Sequence, residues 1–225
     1  MHSEISIVGP DHATAGPVSL AQGVYGARGN LELVACDAAD GLWVYWFNAD
    51  HEDDPPATPD VPPGQWSAGL AFAEGRRYID AQIVQSSLGP DHLEVLALTA
   101  EGVLESWYWS AGPGFQRRDA EAAASVRRFR LTHRDGVLHA HVEHTDGTGA
   151  VVESRGEDYP GRAWHEVDRI PVVGDPGAQE LLRAHGVSDL VEGTARSAHS
   201  TRDGGTTELT WRDLGGSIRH LGIRD

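Results

Sequence analysis

The chain has 225 residues, of which 40% are hydrophobic, and a formal net charge of -16 at pH 7. This length and apolar content suffice for one closed domain with a full core. The negative charge argues against nucleic acid and anionic membrane surfaces as partners, because both require a concentrated basic face.

The chain contains no apolar run near 18 residues and no basic-then-apolar start. These absences argue against a transmembrane span and a secretory signal. Cys36 is the single cysteine, so it cannot form an internal disulfide and gives no support to an oxidising compartment. We therefore expect a cytoplasmic protein.

One segment recurs four times along the chain. Its copies open at Leu31, Leu93, Leu138 and Thr207, and in the last three a glycine follows nine residues after the opening position. The first copy carries one extra residue before its glycine. Without the obvious insertions the unit is about 45 residues long, and self-similarity at that pitch predicts a ring or stack of equal units.

The second copy shows the elements of the unit most clearly. Alternating or aromatic runs at 81–86, 93–99, 103–110 and 115–117 are separated by turn residues, which predicts four short strands. Four antiparallel strands per unit of this length suit a propeller blade. The sequence therefore predicts an all-β fold, a small propeller.

Closure of the ring is also predicted. The fourth unit stops after its third strand, and the apolar stretch 5–8 belongs to no other unit. If this N-terminal strand completes the last blade, no sheet edge is left open between the first and last blades. We thus expect four blades in a single domain over residues 1–225.

Two insertions interrupt the units, at 48–64 and 174–192. The first is acidic and proline-rich and predicts a solvated loop that could fold over a blade rim. The second bears on the blade count, because a fifth, degenerate blade at 168–192 is the alternative to four. We favour a short helix there, with Asp175 as N-cap, Pro176 at the first helical position and Gly186 just past the end.

Three short motifs carry a resemblance to known proteins. NLELV at 30–34, DGLWVYW at 40–46 and QWS at 65–67 follow one another as in a single repeat. This pattern resembles the blade repeat of bacterial propeller lectins and the related tectonin-type propellers, and the match is clear over about residues 17–118. The resemblance implies sugar recognition in pockets between adjacent blades, where aromatic side chains stack on the sugar ring.

The aromatic residues are the first candidates for such a site. In an extended strand, Trp43, Tyr45 and Phe47 share one face and Trp46 the other. Packing between blades alone would account for much of this run. Tryptophan keeps a polar group at a partly wet rim, which makes three residues the best sugar-stacking candidates: Trp46, Trp66 and Trp109.

Arginine pairs near the blade connections are a second set of candidates. Arg77 and Arg118 each belong to such a pair. Guanidinium groups there could bind a carboxylate or phosphate, although a solvated surface needs no function for them.

The second position of every repeat is polar. It is occupied by Glu32, Glu94, His139 and Glu208. Equivalent positions in a closed ring stand at one height, so these groups could share protons in acid–base catalysis or bind a divalent cation. The alternative is that strand ends prefer polar residues and that the ring is too wide for contact.

The third copy offers a metal-compatible strand face. His139, His141 and Glu143 would lie on one side of an extended strand. Their ligand types suit zinc, manganese or iron, but an ordinary polar face looks the same. The zincin, nucleophile-elbow and P-loop spacings do not occur, so no other cofactor is expected.

Three functions are compatible with these features. The resemblance favours a binding module for a carbohydrate or another small polar ligand. The alternative is a small propeller enzyme, a hydrolase, lyase or cyclase, that uses the repeated Glu and His groups. A protein-interaction scaffold suits any propeller, and assembly into a homo-oligomer is open.

Overall fold

Sixteen strands form four antiparallel sheets of four strands each in the computed structural model, which describes residues 5–55, 61–90, 92–146, 148–156, 159–168, 176–191 and 194–224. Blade A contains β2 (Thr14–Gln22), β3 (Leu31–Asp37), β4 (Leu42–Phe47) and β5 (Leu70–Phe72). Blade B contains β6 (Tyr78–Gln85), β7 (His92–Thr99), β8 (Leu104–Ser110) and β9 (Gly114–Arg117). Blade C contains β10 (Val126–Arg134), β11 (Val137–His144), β12 (Gly149–Arg155) and β13 (His165–Asp168).

Blade D joins the two ends of the chain. It contains β14 (Arg196–Ser200), β15 (Thr206–Arg212), β16 (Ile218–Arg224) and β1 (Ile5–Val8). β1 pairs antiparallel with β16, with Ile5 opposite Leu221 and Val8 opposite Ile218. The predicted all-β propeller of four blades, closed by the N-terminal strand, is confirmed.

The register of the repeat is the same in all four blades. The residues that open the copies lie opposite the end of the first strand of their own blade, facing Gln22, Gln85, His133 and His199. Glu32, Glu94, His139 and Glu208 are therefore equivalent by hydrogen-bond register, as predicted. Turn glycines support this spacing, since Gly102 has a φ of 84° and Gly216 a φ of 86°, which only glycine adopts without strain.

The insertion before β14 forms helix α1 (Pro176–Ala184), and the described part of it contains no fifth blade. Gly186 follows the helix with a φ of 79°, as predicted for its C-terminal end. Asp175, the predicted N-cap, lies outside the described residues. Leu182 is fully buried in a cluster with Trp211 of blade D, so the helix covers that blade.

The hydrophobic core is divided among the gaps between blades. Between blades A and B it includes Val34, Cys36 and Ile83. Cys36 is fully buried among these apolar side chains, as expected for a small hydrophobic residue. Similar clusters join blade B to blade C and blade D to blade A. Blade faces in this fold are therefore contact surfaces, and a gap that is not filled by side chains is a place where a ligand can enter.

The acidic insertion is held at both ends. The Asn48 side chain donates a hydrogen bond to the Val61 carbonyl at 2.8 Å, and the Arg28 backbone N–H donates to Asp50 at 2.9 Å. Arg28 also forms an ion pair with Asp54. Asp50 and Val61 are buried, so the described part of this loop is docked on the β2–β3 connection and is less solvated than predicted.

Within the described ranges, no helix has the length and apolar character that a membrane crossing requires.

Candidate functional site between blades A and B

A pocket of about 330 Å³ opens between blades A and B. This volume lies at the lower end of the range of about 300–1,000 Å³ that is usual for small-ligand sites. Blade A contributes Tyr25, Asn30, Glu32, Val44, Trp46 and Leu70 to its lining, and blade B contributes Pro90, Leu93, Trp109, Ala111 and Phe115. We call this space the A/B pocket.

Two tryptophans form its aromatic walls because of strand alternation. Tyr45 and Phe47 pack with Val8 and Ile218 on the side of blade D, which directs Trp46 on β4 toward blade B. Trp109 on β8 packs with the core shared by blades A and B.

The Trp109 ring is fixed by its neighbours. It lies against Gly114, where an added Cβ would stand 3.2 Å from the ring. Its ring centroid is 5.3 Å from that of Phe115. A wall this firmly packed offers a preformed apolar face, which lowers the cost of ordering it around a ligand.

The polar end of the pocket is formed by Asn30 and Glu32, which are only 3% and 7% exposed. The Asn30 Oδ1 atom is buried without a hydrogen-bond partner among the described residues. Burial raises the pKa of Glu32 to about 8, and a hydrogen bond from the Asn30 side chain opposes this rise. Glu32 is therefore mostly protonated at neutral pH, and its carboxyl can both donate and accept a hydrogen bond.

Gln85 fixes the mouth of the pocket. Its Oε1 accepts a hydrogen bond from the Val24 N–H at 3.1 Å, and its Nε2 donates to the Gly89 and His92 carbonyls, each at 2.8 Å. These bonds join the β2–β3 connection of blade A to the β6–β7 connection of blade B. Gln85 lies opposite Leu93 in the register, as Gln22 lies opposite Leu31, so the two glutamines are equivalent in blades B and A.

The equivalent gap between blades B and C is filled by arginine. Glu94 accepts hydrogen bonds from Arg118 at 2.6 and 3.2 Å, and Arg162 Nε of blade C lies 3.2 Å from Glu94 Oε1. The Arg118 guanidinium also lies 4.7 Å from the Tyr108 ring centroid. All three charged side chains are nearly inaccessible to solvent. The protein's own guanidinium groups thus occupy the place that is open in the A/B pocket.

The other two equivalent positions are also engaged. Glu208 lies 2.7 Å from His220 Nε2 and 3.1 Å from Arg202 Nε. His139 pairs with Glu153 at 3.1 Å. Among the described residues, only Glu32 of the four lacks an ion-pair partner and lines an open pocket.

The ring of equivalent groups does not form one cluster. In the described ranges, no hydrogen bond or ion pair joins any two of Glu32, Glu94, His139 and Glu208. None of them lines the open space at the centre of the ring, between the first strands of the four blades. Within the same ranges, no group of three or more His, Cys, Asp or Glu residues is arranged to hold a metal ion.

The metal-compatible strand face of blade C has other partners. His139 faces Glu153, and Glu143 forms ion pairs with Arg127 and Arg128. His141 is half-buried, and burial lowers its pKa. These contacts account for the alternating polar residues as an ion-paired surface.

The remaining sequence candidates lie away from the A/B pocket. Trp66 packs on the opposite side of blade A, against Phe47 and His220, with ring centroids 5.5 Å apart in both cases. Arg77 is exposed on the connection between β5 and β6 and does not line the pocket. The Arg118 guanidinium donates hydrogen bonds to Glu94 in the gap between blades B and C. The structure therefore brings together Glu32, Trp46 and Trp109, and it adds Tyr25 and Asn30.

Sequence reasoning missed Tyr25, Asn30 and Phe115 as pocket residues. Asn30 stands at the start of the NLELV motif, which was a usable signal. Tyr25 and Phe115 lie in a connection and a short outer strand, where no periodicity indicates the direction of a side chain.

The raised pKa of Glu32 leads to a pH-dependent stability. Between the ordinary value of 4.5 and the folded value of about 8, the folded protein keeps a proton on Glu32 that the unfolded chain releases. The stability that Glu32 contributes is therefore complete below its ordinary pKa of 4.5. It is lost as pH rises from there through the folded pKa of about 8, by up to about 1.4 kcal/mol per pH unit. We expect wild type to lose stability relative to Glu32→Gln across this window in denaturant unfolding.

Wild type is compared with Glu32→Gln because other groups of the protein titrate in the same pH range. Asp80, whose pKa burial raises to about 6, acts in the same direction, while the lowered pKa values of His133 and His141 act in the opposite one. Both proteins share these groups. A difference in stability that does not change with pH would contradict the assignment.

Comparison with solved structures agrees with the propeller fold. No protein-family description matches the sequence, and no curated protein is detectably similar to it. Among solved structures, the fold is similar to that of the BP39L lectin from Burkholderia pseudomallei, with a TM-score of 0.51 and 12% identity over 92% of this chain and 55% of that one. At this identity the likeness is one of fold.

Two other structures are similar to a lesser degree. The SapL1 lectin in complex with alpha methyl fucoside gives a TM-score of 0.48 at 10% identity, over 94% of this chain and 60% of that one. AofleA from Arthrobotrys oligospora gives a TM-score of 0.47 at 10% identity, over 100% of this chain and 58% of that one. The present chain thus spans between 55% and 60% of the length of these three proteins.

Proposed function

We propose that the protein binds carbohydrate, and that the A/B pocket is its binding site. The observation that carries this proposal is the meeting of Trp46 and Trp109 from neighbouring blades around Glu32, the one group of the four equivalent positions that has no ion-pair partner among the described residues. Tryptophan faces stack on the C–H faces of sugar rings, while a few buried polar groups fix the hydroxyls. The neighbour of similar fold that is named a lectin agrees with this assignment.

The pocket favours an uncharged sugar. No Arg or Lys lines it, and Glu32 is mostly neutral at neutral pH because burial raises its pKa. A protonated carboxyl beside the Asn30 amide offers donors and acceptors that match the hydroxyl groups of a neutral sugar. An acidic sugar would instead bring its charge into a buried site without a counter-ion.

The enzyme alternative has less support. Acid–base catalysis requires groups that reach the same substrate, and Glu94 and Glu208 are each held by basic side chains in separate gaps. The scaffold alternative rests on the fold alone. A cytoplasmic location and a single domain over residues 1–225 stay part of the proposal.

The direct test is a glycan array followed by isothermal titration calorimetry with the best sugar, with and without EDTA. A blocked variant, Ala111→Trp, places a large ring at the exposed rim of the pocket. We expect it to abolish measurable binding, because the ring occupies the space of the ligand.

The matched control is Ala39→Trp, which adds the same side chain at an exposed turn of blade A outside the pocket lining. It should bind like wild type. Absence of sugar binding by wild type, or equal binding by wild type and Ala111→Trp, would overturn the proposal.

A further inference from the structure

The centre of the ring is a channel of about 600 Å³. It is lined by the first strands of the four blades, β2, β6, β10 and β14. No residue that lines the A/B pocket also lines this channel. The channel is therefore a second, separate concave space.

All ionisable side chains that line the channel are basic. They are Arg128, Arg130, His133, Arg196 and His199. No Asp or Glu stands among the lining residues, although the chain as a whole carries a formal charge of -16. Charges of one sign in a concave space with walls of low dielectric constant focus their potential on the opening.

The nearby carboxylates compensate this charge only in part. Glu143 pairs with Arg128 at 2.5 Å but is shared with Arg127. Asp80 is buried on β6 and lies 3.8 Å from Arg196. Arg130 forms no ion pair or hydrogen bond with the described residues and is exposed to the channel.

The groups around Arg130 repel one another. Arg130 lies opposite His141 in the β10–β11 ladder, and the pKa of His141 is lowered by burial and then by the positive charges of His139 and Arg130. An anion near Arg130 would relieve this repulsion and supply an acceptor for the N–H groups of its guanidinium.

We propose that the central channel binds a small phosphate or sulfate group, free or as an ester, with Arg130 as its principal ligand and with Arg196, which lines the same channel, as a further donor. Guanidinium forks match the oxygens of such anions and bind them through charge-assisted hydrogen bonds. This site is independent of the proposed sugar site, so either can fail without the other.

The test is calorimetric titration with inorganic phosphate and with sulfate, at constant ionic strength set by chloride. Arg130→Gln keeps a polar side chain and removes its charge. We expect it to weaken phosphate binding at least about tenfold, because the strongest charge-assisted contacts are lost.

Two controls separate this effect from general charge and from the A/B pocket. Arg134→Gln removes the same charge from the same strand at a position that is 84% exposed and outside the channel lining. Ala111→Trp blocks only the sugar pocket. Both should bind phosphate within about twofold of wild type.

The source of the anion is distinguished by a second ligand, glucose 6-phosphate. Tighter binding than inorganic phosphate identifies an ester as the fitting ligand, and weaker binding identifies the free ion. Absence of saturable anion binding by wild type, or equal weakening by Arg134→Gln and Arg130→Gln, would overturn the proposal.

Discussion

Glu94→Gln is expected to lower the free energy of unfolding by about 3–5 kcal/mol. Glu94 is the only carboxylate that pairs with Arg118 and Arg162 in the described ranges, and both guanidiniums are at most 5% exposed. Removal of the negative charge of Glu94 leaves these two buried guanidiniums without a counter-ion. Burial already lowers the pKa of Arg162 despite the opposing effect of Glu94, which shows how costly its charge is in this place.

The loss can be measured by denaturant unfolding and by calorimetry. For a chain of this size, a loss of 3–5 kcal/mol corresponds to a melting temperature lower by about 6–20 °C. Glu101→Gln, at an exposed turn of the same blade, is the matched control and should stay within about 0.5 kcal/mol of wild type. Equal stability of the two variants would show that the buried pair contributes nothing.

A second substitution separates charge from packing. In Glu94→Gln combined with Arg118→Met, one of the two unpaired cations is removed while most of the side-chain volume is kept. We expect this double variant to be more stable than Glu94→Gln alone. If it is less stable, the loss comes from the other contacts of Arg118, such as its hydrogen bond to Ser106.

Trp109→Leu is expected to weaken sugar binding by about 30-fold or more, corresponding to at least about 2 kcal/mol. Trp109 is the aromatic wall that blade B contributes, and leucine offers no flat face of comparable area. Titration calorimetry with the sugar identified on the array measures the change, at a temperature where circular dichroism shows the variant to be folded.

Trp66→Leu is the matched control for this prediction. Trp66 is also partly buried, but it packs against Phe47 and His220 on the other side of blade A. It should lose stability by a similar packing effect and bind sugar within about twofold of wild type. Equal losses of affinity in the two variants would place the sugar outside the A/B pocket.

The architecture could be predicted because short-range features of the sequence specify it. Strand alternation, turn glycines and the recurrence of one segment define the blade, and the apolar stretch that became β1 had no other unit to join. The helix in the second insertion was indicated by Pro176 and Gly186, whose backbone preferences act within a single turn. These signals need no knowledge of distant contacts.

Whether a gap between two blades is open or filled by ion-paired side chains could not be predicted, because it depends on residues far away in the sequence. Glu32 and Glu94 occupy the same position in their repeats, yet Arg162 reaches Glu94 from the next blade and no basic residue of the described chain pairs with Glu32. Long side chains such as Arg118 adopt directions that tertiary packing determines. The direction of Trp66 was equally hidden, since the insertion at 48–64 breaks the count of residues that would assign its face.

The pairing of β1 with β16 has a consequence for how the protein is made. During synthesis β1 leaves the ribosome long before β16, so blades A, B and C can assemble while β1 is still without its partner strand. Closure is the most non-local contact of the fold, and such contacts form slowly. A product that ends before β16 keeps β1 unpaired and the ring open, and it exposes strand edges that proteases and chaperones can recognise.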